Sequence, residues 1–270
     1  MKLPDKEILV HPDHLFLCEH DHRELHNLSV LDFMRMIYTT RFELVLRAVE
    51  RWARGKQVLD VGCAQGNFSL TLAERGYAVI ALDLRPSFLR YLRLKHEWGQ
   101  VHCVSASIEA FPFRPNLFDV VLLGEVIEHV AYPERLLQHL SQLLAPGGIL
   151  ILTTPNGERF HTGLPTLADI KDRKELVAKQ FKPDADGHLF LLTRGELEAL
   201  VREVGLEVAS HELFGTPWLT GRLMARYVAR FLPVGARTFL DRLTVNLPIF
   251  GQRLAEGQLI VAKIREGDSP

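Results

Sequence analysis

The 270 residues, 47% hydrophobic and 24% charged, suffice for one large core with a small appendage. A formal net charge of −1 gives no overall attraction to nucleic acid, and three cysteines, Cys18, Cys63 and Cys103, are too few and too unpatterned for a disulfide framework. The first 22 residues are too charged for a secretory signal and no apolar run approaches the roughly 18 residues of a membrane span, so a cytoplasmic protein is expected.

Residues 11 to 26 hold His11, His14, Cys18, His20, His22 and His26 in no recognised metal-finger spacing, which predicts exposed, solvated imidazoles. From 30 to 54, Leu31, Met34, Tyr38, Phe42, Val45, Leu46 and Val49 recur at helical spacing. Short, continuously apolar runs follow at 57–61, 78–84, 101–105, 118–123 and 148–154, the pattern of strands covered on both faces. Helical periodicity at 66–75, 86–98 and 133–144 separates them, and this alternation predicts an α/β fold with a parallel sheet flanked by helices. The organisation expected is a helical extension over 1–54, a core over 55–214, a helical cap over 215–257 and a last strand with tail over 258–270.

The stretch VLDVGCAQGNF (58–68) places a Gly-rich turn between a strand and a helix. Gly62 and Gly66 lack a Cβ, so backbone can approach a ligand, and the free amides of a helix start favour an anionic group. The spacing is one residue tighter than that of a dinucleotide fingerprint. Asp83 ends the second strand about 20 residues beyond Gly62, where a carboxylate can accept from vicinal ribose hydroxyls. A nucleoside-containing cofactor is implied.

VLDVGCAQG with ALDL resembles the class I S-adenosylmethionine (SAM) dependent methyltransferases. The likeness continues through IEAFPF (108–113), FDVVLLGEVIEHV (118–130), LAPGGILILTTPN (144–156) and GHLFLLTRGELEALVREVGLEV (187–208). It implies a doubly wound, Rossmann-like, seven-stranded and mostly parallel sheet with QLIVAKI (258–264) as the antiparallel last strand. It also implies that Gly62, with its neighbours Asp60, Cys63 and Gly66, holds the methionine moiety of SAM. Asp83, followed by Leu84, would bind the ribose, Ser107 with Ile108 would lie beside the adenine, and Gly124 would sit where the methionine end passes. An Asp is commoner in the family where this chain has Ser107. Arg41 stands where ubiquinone-biosynthesis O-methyltransferases have an arginine near the cofactor carboxylate.

In GEVIEHV, Glu125, Glu128 and His129 can share one face of a helical turn at the carboxyl end of a strand, and His188 precedes a later helix. Two carboxylates and two imidazoles form a cage for Mg²⁺ or another divalent cation, with positions open to substrate oxygens. The segment is similar both to small-RNA 3′-terminal 2′-O-methyltransferases and to ubiquinone-biosynthesis O-methyltransferases, which implies Glu125, Glu128, His129 and His188 as metal ligands. Without a metal, His129 or His188 takes the acceptor's proton, and the expected catalytic residues are His129 and Glu128.

Acceptor choice is expected outside this core. Residues 157–187 form a polar insertion predicted to cover the acceptor pocket as a mobile loop. Residues 215–254 interleave Trp218, Leu219, Leu223, Tyr227, Val228 and Phe231 with Arg222, Arg226 and Arg230, and continue through Arg237, Arg242 and Arg253 against a lone Asp241. This segment reads as a cap whose apolar face closes the pocket and whose arginines face water, or as a peripheral contact with an anionic membrane surface. The reaction expected is methyl transfer from SAM to a hydroxyl of a small-molecule, glycan or lipid-linked acceptor. RNA 2′-O-methylation and a non-catalytic SAM-binding scaffold are the alternatives.

Overall fold

The computed structural model describes residues 1–4, 9–22, 24, 33–107, 113–160, 163–180, 187–222, 225–248 and 250–265. The five apolar runs form parallel strands: β1 (Gln57–Val61), β2 (Ala78–Asp83), β3 (Gln100–Ser105), β4 (Phe118–Gly124) and β5 (Leu144–Pro155). Adding β6 (Leu206–Phe214) and β7 (Gly257–Ile264) gives a seven-stranded sheet of order β3-β2-β1-β4-β5-β7-β6. The last strand, β7, runs antiparallel to both β5 and β6, as the resemblance implied. β5 begins at Leu144, earlier than the expected 148, because a register shift in β4 between Phe118 and Val120 lets Leu144 pair with Phe118.

Helices α1 (Pro12–Asp21), α2 (Phe33–Trp52), α3 (Asn67–Glu74), α4 (Pro86–Lys95) and α5 (Pro133–Leu143) precede the short α6 (Lys174–Val177) and α7 (Arg194–Glu203). Strand alternation divides the core between two faces. Leu59, Val121 and Leu150 meet Leu136, Leu140 and Leu197 of α5 and α7, whereas Val58, Val120 and Ile151 meet Val45, Val49 and Leu72 of α2 and α3. Helices α5 and α7 show local reasons to start where they do. Pro133 opens α5, whose Leu136, Leu137, Leu140 and Leu143 follow at helical spacing and are buried, and a Thr193–Glu196 capping box opens α7.

Chain order reverses between β1 and β4: β1 continues to β2 and β3 on one side of the sheet, and β4 and β5 lie on the other. Loops leaving the carboxyl ends of β1 and β4 therefore diverge and leave a crevice, the place where open α/β sheets bind ligands.

Three segments depart from expectation. The N-terminal histidines are not all solvated: His14 is buried, with Nε2 2.9 Å from the Ser87 carbonyl oxygen, and His26 lies outside the described residues. The insertion is partly packed: Leu167 and Leu176 enter the core, Arg173 pairs with Glu134 at 2.7 Å, and the Ala131 amide donates to Gln180 at 2.9 Å. Between β6 and β7 the chain forms α8 (Pro217–Thr220), α9 (Ala225–Ala229), α10 (Val234–Val245) and α11 (Phe250–Leu254). There Arg237, expected in water, is fully buried, with Nε donating to the Leu232 carbonyl at 2.9 Å and Nη1 3.0 Å from Met36 Sδ.

The ion pair that ties α1 to α4 is itself buried: Lys95 Nζ lies 2.6 Å from Asp21 Oδ2, with 1% and 0% of the side chains exposed. Tyr91 and Asn67 also donate to that carboxylate, each at 2.9 Å. Removing one partner of such a pair leaves an uncompensated charge. Lys95→Met is expected to lower unfolding free energy by about 3 kcal/mol, read by urea denaturation; an unchanged midpoint would show that the remaining donors satisfy Asp21.

Candidate active site

The turn after β1 is fixed by backbone. The amides of Gly62 and Cys63 both donate to the Leu82 carbonyl, at 2.8 and 3.0 Å, and the Ala64 amide donates to Asp83 Oδ2 at 3.0 Å. Gly62 and Gly66 have φ of +70° and +75°, in the left-handed region that favours glycine. A Cβ would fall 2.6 Å from Val126 Cγ2 at Gly62 and 2.2 Å from Leu92 Cδ1 at Gly66, so neither position has room for a side chain. Gly124 differs: a Cβ there would meet Phe68 at 3.6 Å and Thr153 at 3.7 Å, ordinary contacts. The chain's own packing does not demand glycine at the end of β4, but a ligand crossing it would.

Asp83 is buried and uses one oxygen for Ala64 and the other for the Arg85 amide at 2.9 Å. Burial pushes its carboxyl above the usual range although those amides oppose the shift. Each oxygen keeps a lone pair for a further donor. Beside it, Leu84 is 45% exposed, an apolar surface next to a polar anchor, and Ser107 is half-buried just past the end of β3. Ile108 lies outside the described residues. Under the turn, Asp60 accepts from the Ser69 hydroxyl at 2.5 Å. Burial, with Asp60 and Asp83 nearby, pushes the Cys63 thiol well above its ordinary value, so Cys63 packs as a neutral group.

Across the crevice, the end of β4 presents the acids. Glu125 has φ of +55°, an unfavourable backbone for a residue other than glycine, and its amide donates to the Thr153 carbonyl at 2.9 Å. Its carboxylate lies 3.1 Å from Arg41 Nη1, and the Arg41 guanidinium stands 5.1 Å from the Tyr38 ring centroid. Glu128, in a 3-10 turn over Ile127–His129, is fully buried. Its Oε2 accepts from the Thr154 hydroxyl at 2.9 Å, and burial, reinforced by Glu125, pushes its pKa well above the ordinary range. The Leu189 amide donates to the Glu128 carbonyl at 2.9 Å, which brings the neighbouring His188 to the turn. His188 Nε2 then lies 3.8 Å from Glu128 Oε1, and the His129 and His188 rings meet edge to face at 5.0 Å. Burial also pushes the His188 imidazole below its ordinary value, which favours the neutral base.

Of the four ligands implied by resemblance, the structure brings three together: ligand atoms of Glu128, His129 and His188 lie within 4.8 Å of one another. Glu125 is turned to Arg41 instead. Glu128 Oε1 is buried without a hydrogen-bond partner among the described residues, as are Arg41 Nε and Thr153 Oγ1 at the same edge. A carboxylate and two imidazoles with an orphaned carboxyl oxygen suit a divalent cation with N/O preference. The pairing of Arg41 with Glu125 and the contact of Thr154 with Glu128 had no local signal, because each partner is carried by a different element. A separate cavity of about 540 Å³ lies between α2, β6 and α10, lined by residues such as Met36, Arg47, His211 and Asp241, and includes none of these groups.

Comparison with known proteins places this site in context. Residues 33–211 match the methyltransferase domain family. A ubiquinone biosynthesis O-methyltransferase of Xanthomonas euvesicatoria pv. vesicatoria is 31% identical over 211 residues, covering 76% of this chain and 82% of that protein. Among solved structures, an S-adenosylmethionine dependent methyltransferase from Mesorhizobium loti aligns with a TM-score of 0.55 at 20% identity, over 82% of this chain and 96% of that one. The [4+2]-cyclase SpnF aligns with a TM-score of 0.56 at 18% identity, over 83% of this chain and 81% of that one, so the shared architecture alone does not select a reaction.

Asp60 generates a pH prediction. Burial raises its pKa from the ordinary 3.8 to about 6. The native state thus keeps a proton that the unfolded chain releases, and this group's contribution to stability is lost as pH rises from 3.8 through about 6. The loss is about 3 kcal/mol at about 1.4 kcal/mol per pH unit, and Asp60→Asn is expected to flatten that slope in urea unfolding across the window.

Proposed function

This chain belongs to the class I SAM-dependent methyltransferases, and we propose that it transfers the methyl group to a hydroxyl of a small-molecule, glycan or lipid-linked acceptor at the β1/β4 crevice, with a divalent cation assisting. The observation carrying the reading is the buried, unsatisfied Glu128 Oε1 grouped with His129 and His188 across the crevice from the turn at Gly62. The O-methyltransferase named among the relatives supports oxygen as the attacked atom.

In this reading the backbone of Gly62, Cys63 and Gly66 receives the methionine end of SAM as it passes Gly124, with Asp60 holding the turn from beneath through Ser69. Asp83 accepts from the ribose hydroxyls, and Leu84 and Ser107, with Ile108, flank the adenine. Arg41 supplies a cation for the cofactor's carboxylate, sharing it with Glu125. Glu128, His129 and His188 would hold the cation, which, when bound, lowers the pKa of an acceptor hydroxyl. Without the cation, His129, with His188 beside it, would accept the hydroxyl proton instead, and burial, which lowers the basicity of His188, favours its neutral form. The sulfonium already carries an activated methyl, so the protein's task is to align donor and acceptor and exclude water. Part of the 157–187 insertion closes that side: the Phe160 amide donates to the Arg253 carbonyl at 2.9 Å, and Arg159 and Arg222 both pair with Glu256, at 2.5 and 2.6 Å.

Titration calorimetry of chelator-treated protein with S-adenosylhomocysteine, then with Mg²⁺, Mn²⁺ or Zn²⁺, tests each half separately. Nucleoside binding is expected in the wild type and in Glu128→Ala and His188→Ala, with a metal heat lost in both variants. Asp83→Ala is expected to weaken the nucleoside roughly 10- to 100-fold, the scale of one or two lost charge-assisted hydrogen bonds. Nucleoside binding without metal heat would remove the cation and leave His129 as base, whereas full affinity in Asp83→Ala would remove the ribose assignment.

A further inference from the structure

Helix α10 is arranged inside out. Its charged residues Arg237 and Asp241 are buried at 0% and 4% exposure, Asp241 accepting from the Thr216 amide at 2.6 Å. Ala236, Leu240 and Val245 are half-buried, but Phe239 is 60% exposed, Leu243 52% and Leu247, just past its end, 51%. These last three stand at four-residue spacing and so line one stripe, with Arg242 exposed beside them. Phe231 before the helix and Phe250 after it are also more than half exposed. Scattered surface hydrophobics are ordinary, but an apolar stripe bought with two buried charges is not.

Charge narrows what covers this stripe. Six arginines and a single acid occupy 215–254, and the acid, Asp241, is buried; Arg222 is paired with Glu256, and Arg230, Arg242 and Arg253 are exposed, with no exposed acid among the described residues of the segment. Arg230 and Phe231 are paired, the guanidinium 4.6 Å from the ring centroid. A second copy packed symmetrically on the stripe would set these arginines against their equivalents, which disfavours that arrangement. Aromatic and leucine side chains rimmed by arginine fit the boundary of an anionic bilayer, where the rings enter the acyl margin and the guanidinium groups meet phosphate. Among the described residues no helix is long and apolar enough to cross a membrane, so the contact is peripheral.

We propose that the outward face of α10, extended by Phe231 and Phe250, docks the protein on an anionic phospholipid surface. The face lies on the excursion between β6 and β7, which departs and returns beside Pro155 at the carboxyl edge of the sheet, the edge that carries the crevice.

Vesicle flotation of the full chain tests this, with phosphatidylcholine alone and with added phosphatidylglycerol. Binding is expected to the phosphatidylglycerol-containing vesicles, weakened by salt. It should be lost in Phe239→Asp/Leu243→Asp and reduced several-fold by each reversal in Arg230→Glu/Arg242→Glu. S-adenosylhomocysteine affinity, measured in the same preparations, should not change; it reports folding and keeps failure of the docking separate from failure of the cofactor assignment. If the apolar variant loses the nucleoside, the charge-reversed one decides. Absence of flotation with either vesicle overturns the proposal. So does a wild-type dimer in light scattering that Phe239→Asp/Leu243→Asp makes monomeric while lipid binding is absent, since the stripe would then belong to a second copy.

Discussion

The carboxyl edge of the sheet depends on one carbonyl. Leu82 receives the amides of both Gly62 and Cys63, so the turn after β1 cannot shift without displacing the end of β2. The next residue is Asp83, whose carboxylate takes the following amide, Ala64. Turn and acid therefore fix each other, and the two parts of the proposed nucleoside site are held by main-chain hydrogen bonds. Left-handed backbone at Gly62, Ala64 and Gly66 is the conformational cost of that arrangement, and Val126 and Leu92 fill the space a side chain would need.

The opposite wall separates two carboxyl groups that the sequence spaces three apart. Glu125 meets the Arg41 guanidinium, which α2 brings over the crevice, while Glu128 is buried with a single hydroxyl donor to its carboxyl group. Environments this different give neighbouring acids different chemistry, one an ion-pair partner and the other a carboxyl whose pKa burial raises well above the ordinary range. His188 completes the wall through a main-chain hydrogen bond from its neighbour Leu189 to the Glu128 carbonyl, so its position depends on the β5–α7 connection and on the turn that carries Glu128 together.

Much of this was legible from local pattern. Continuous apolar runs marked the five parallel strands because both faces of the sheet are covered, and the break from Val61 into Gly62 marked the turn because only a glycine-rich segment adopts it. Asp83 was visible as an acid ending an apolar run. What the sequence left hidden involves partners on separate elements. The burial of Lys95 against Asp21, the diversion of Glu125 to Arg41 and the packing of Leu167 and Leu176 each depend on tertiary approach. Helix α10 misleads for a related reason: an arginine at helical spacing reads as a water-facing position, yet Met36 and the Leu232 carbonyl give Arg237 partners inside the fold, and the apolar residues are turned outward in exchange.

The excursion from β6 leaves after Phe214 and re-enters at Gly257, and these two residues are paired across the strands. A segment whose ends already touch places little demand on its own length, since the entropy of closing it grows only with the logarithm of the number of residues. The chain can therefore reshape the exposed part of this segment while Gln258 and its successors keep their register against β5; the returning part is tied to the sheet, Asn156 donating to the Gln252 and Ala255 carbonyls at 2.6 and 2.9 Å. Under the proposed function, recognition of the acceptor's surroundings and alignment of the methyl donor would be separately heritable, the first carried by the reshaped part of the segment and the second by the sheet.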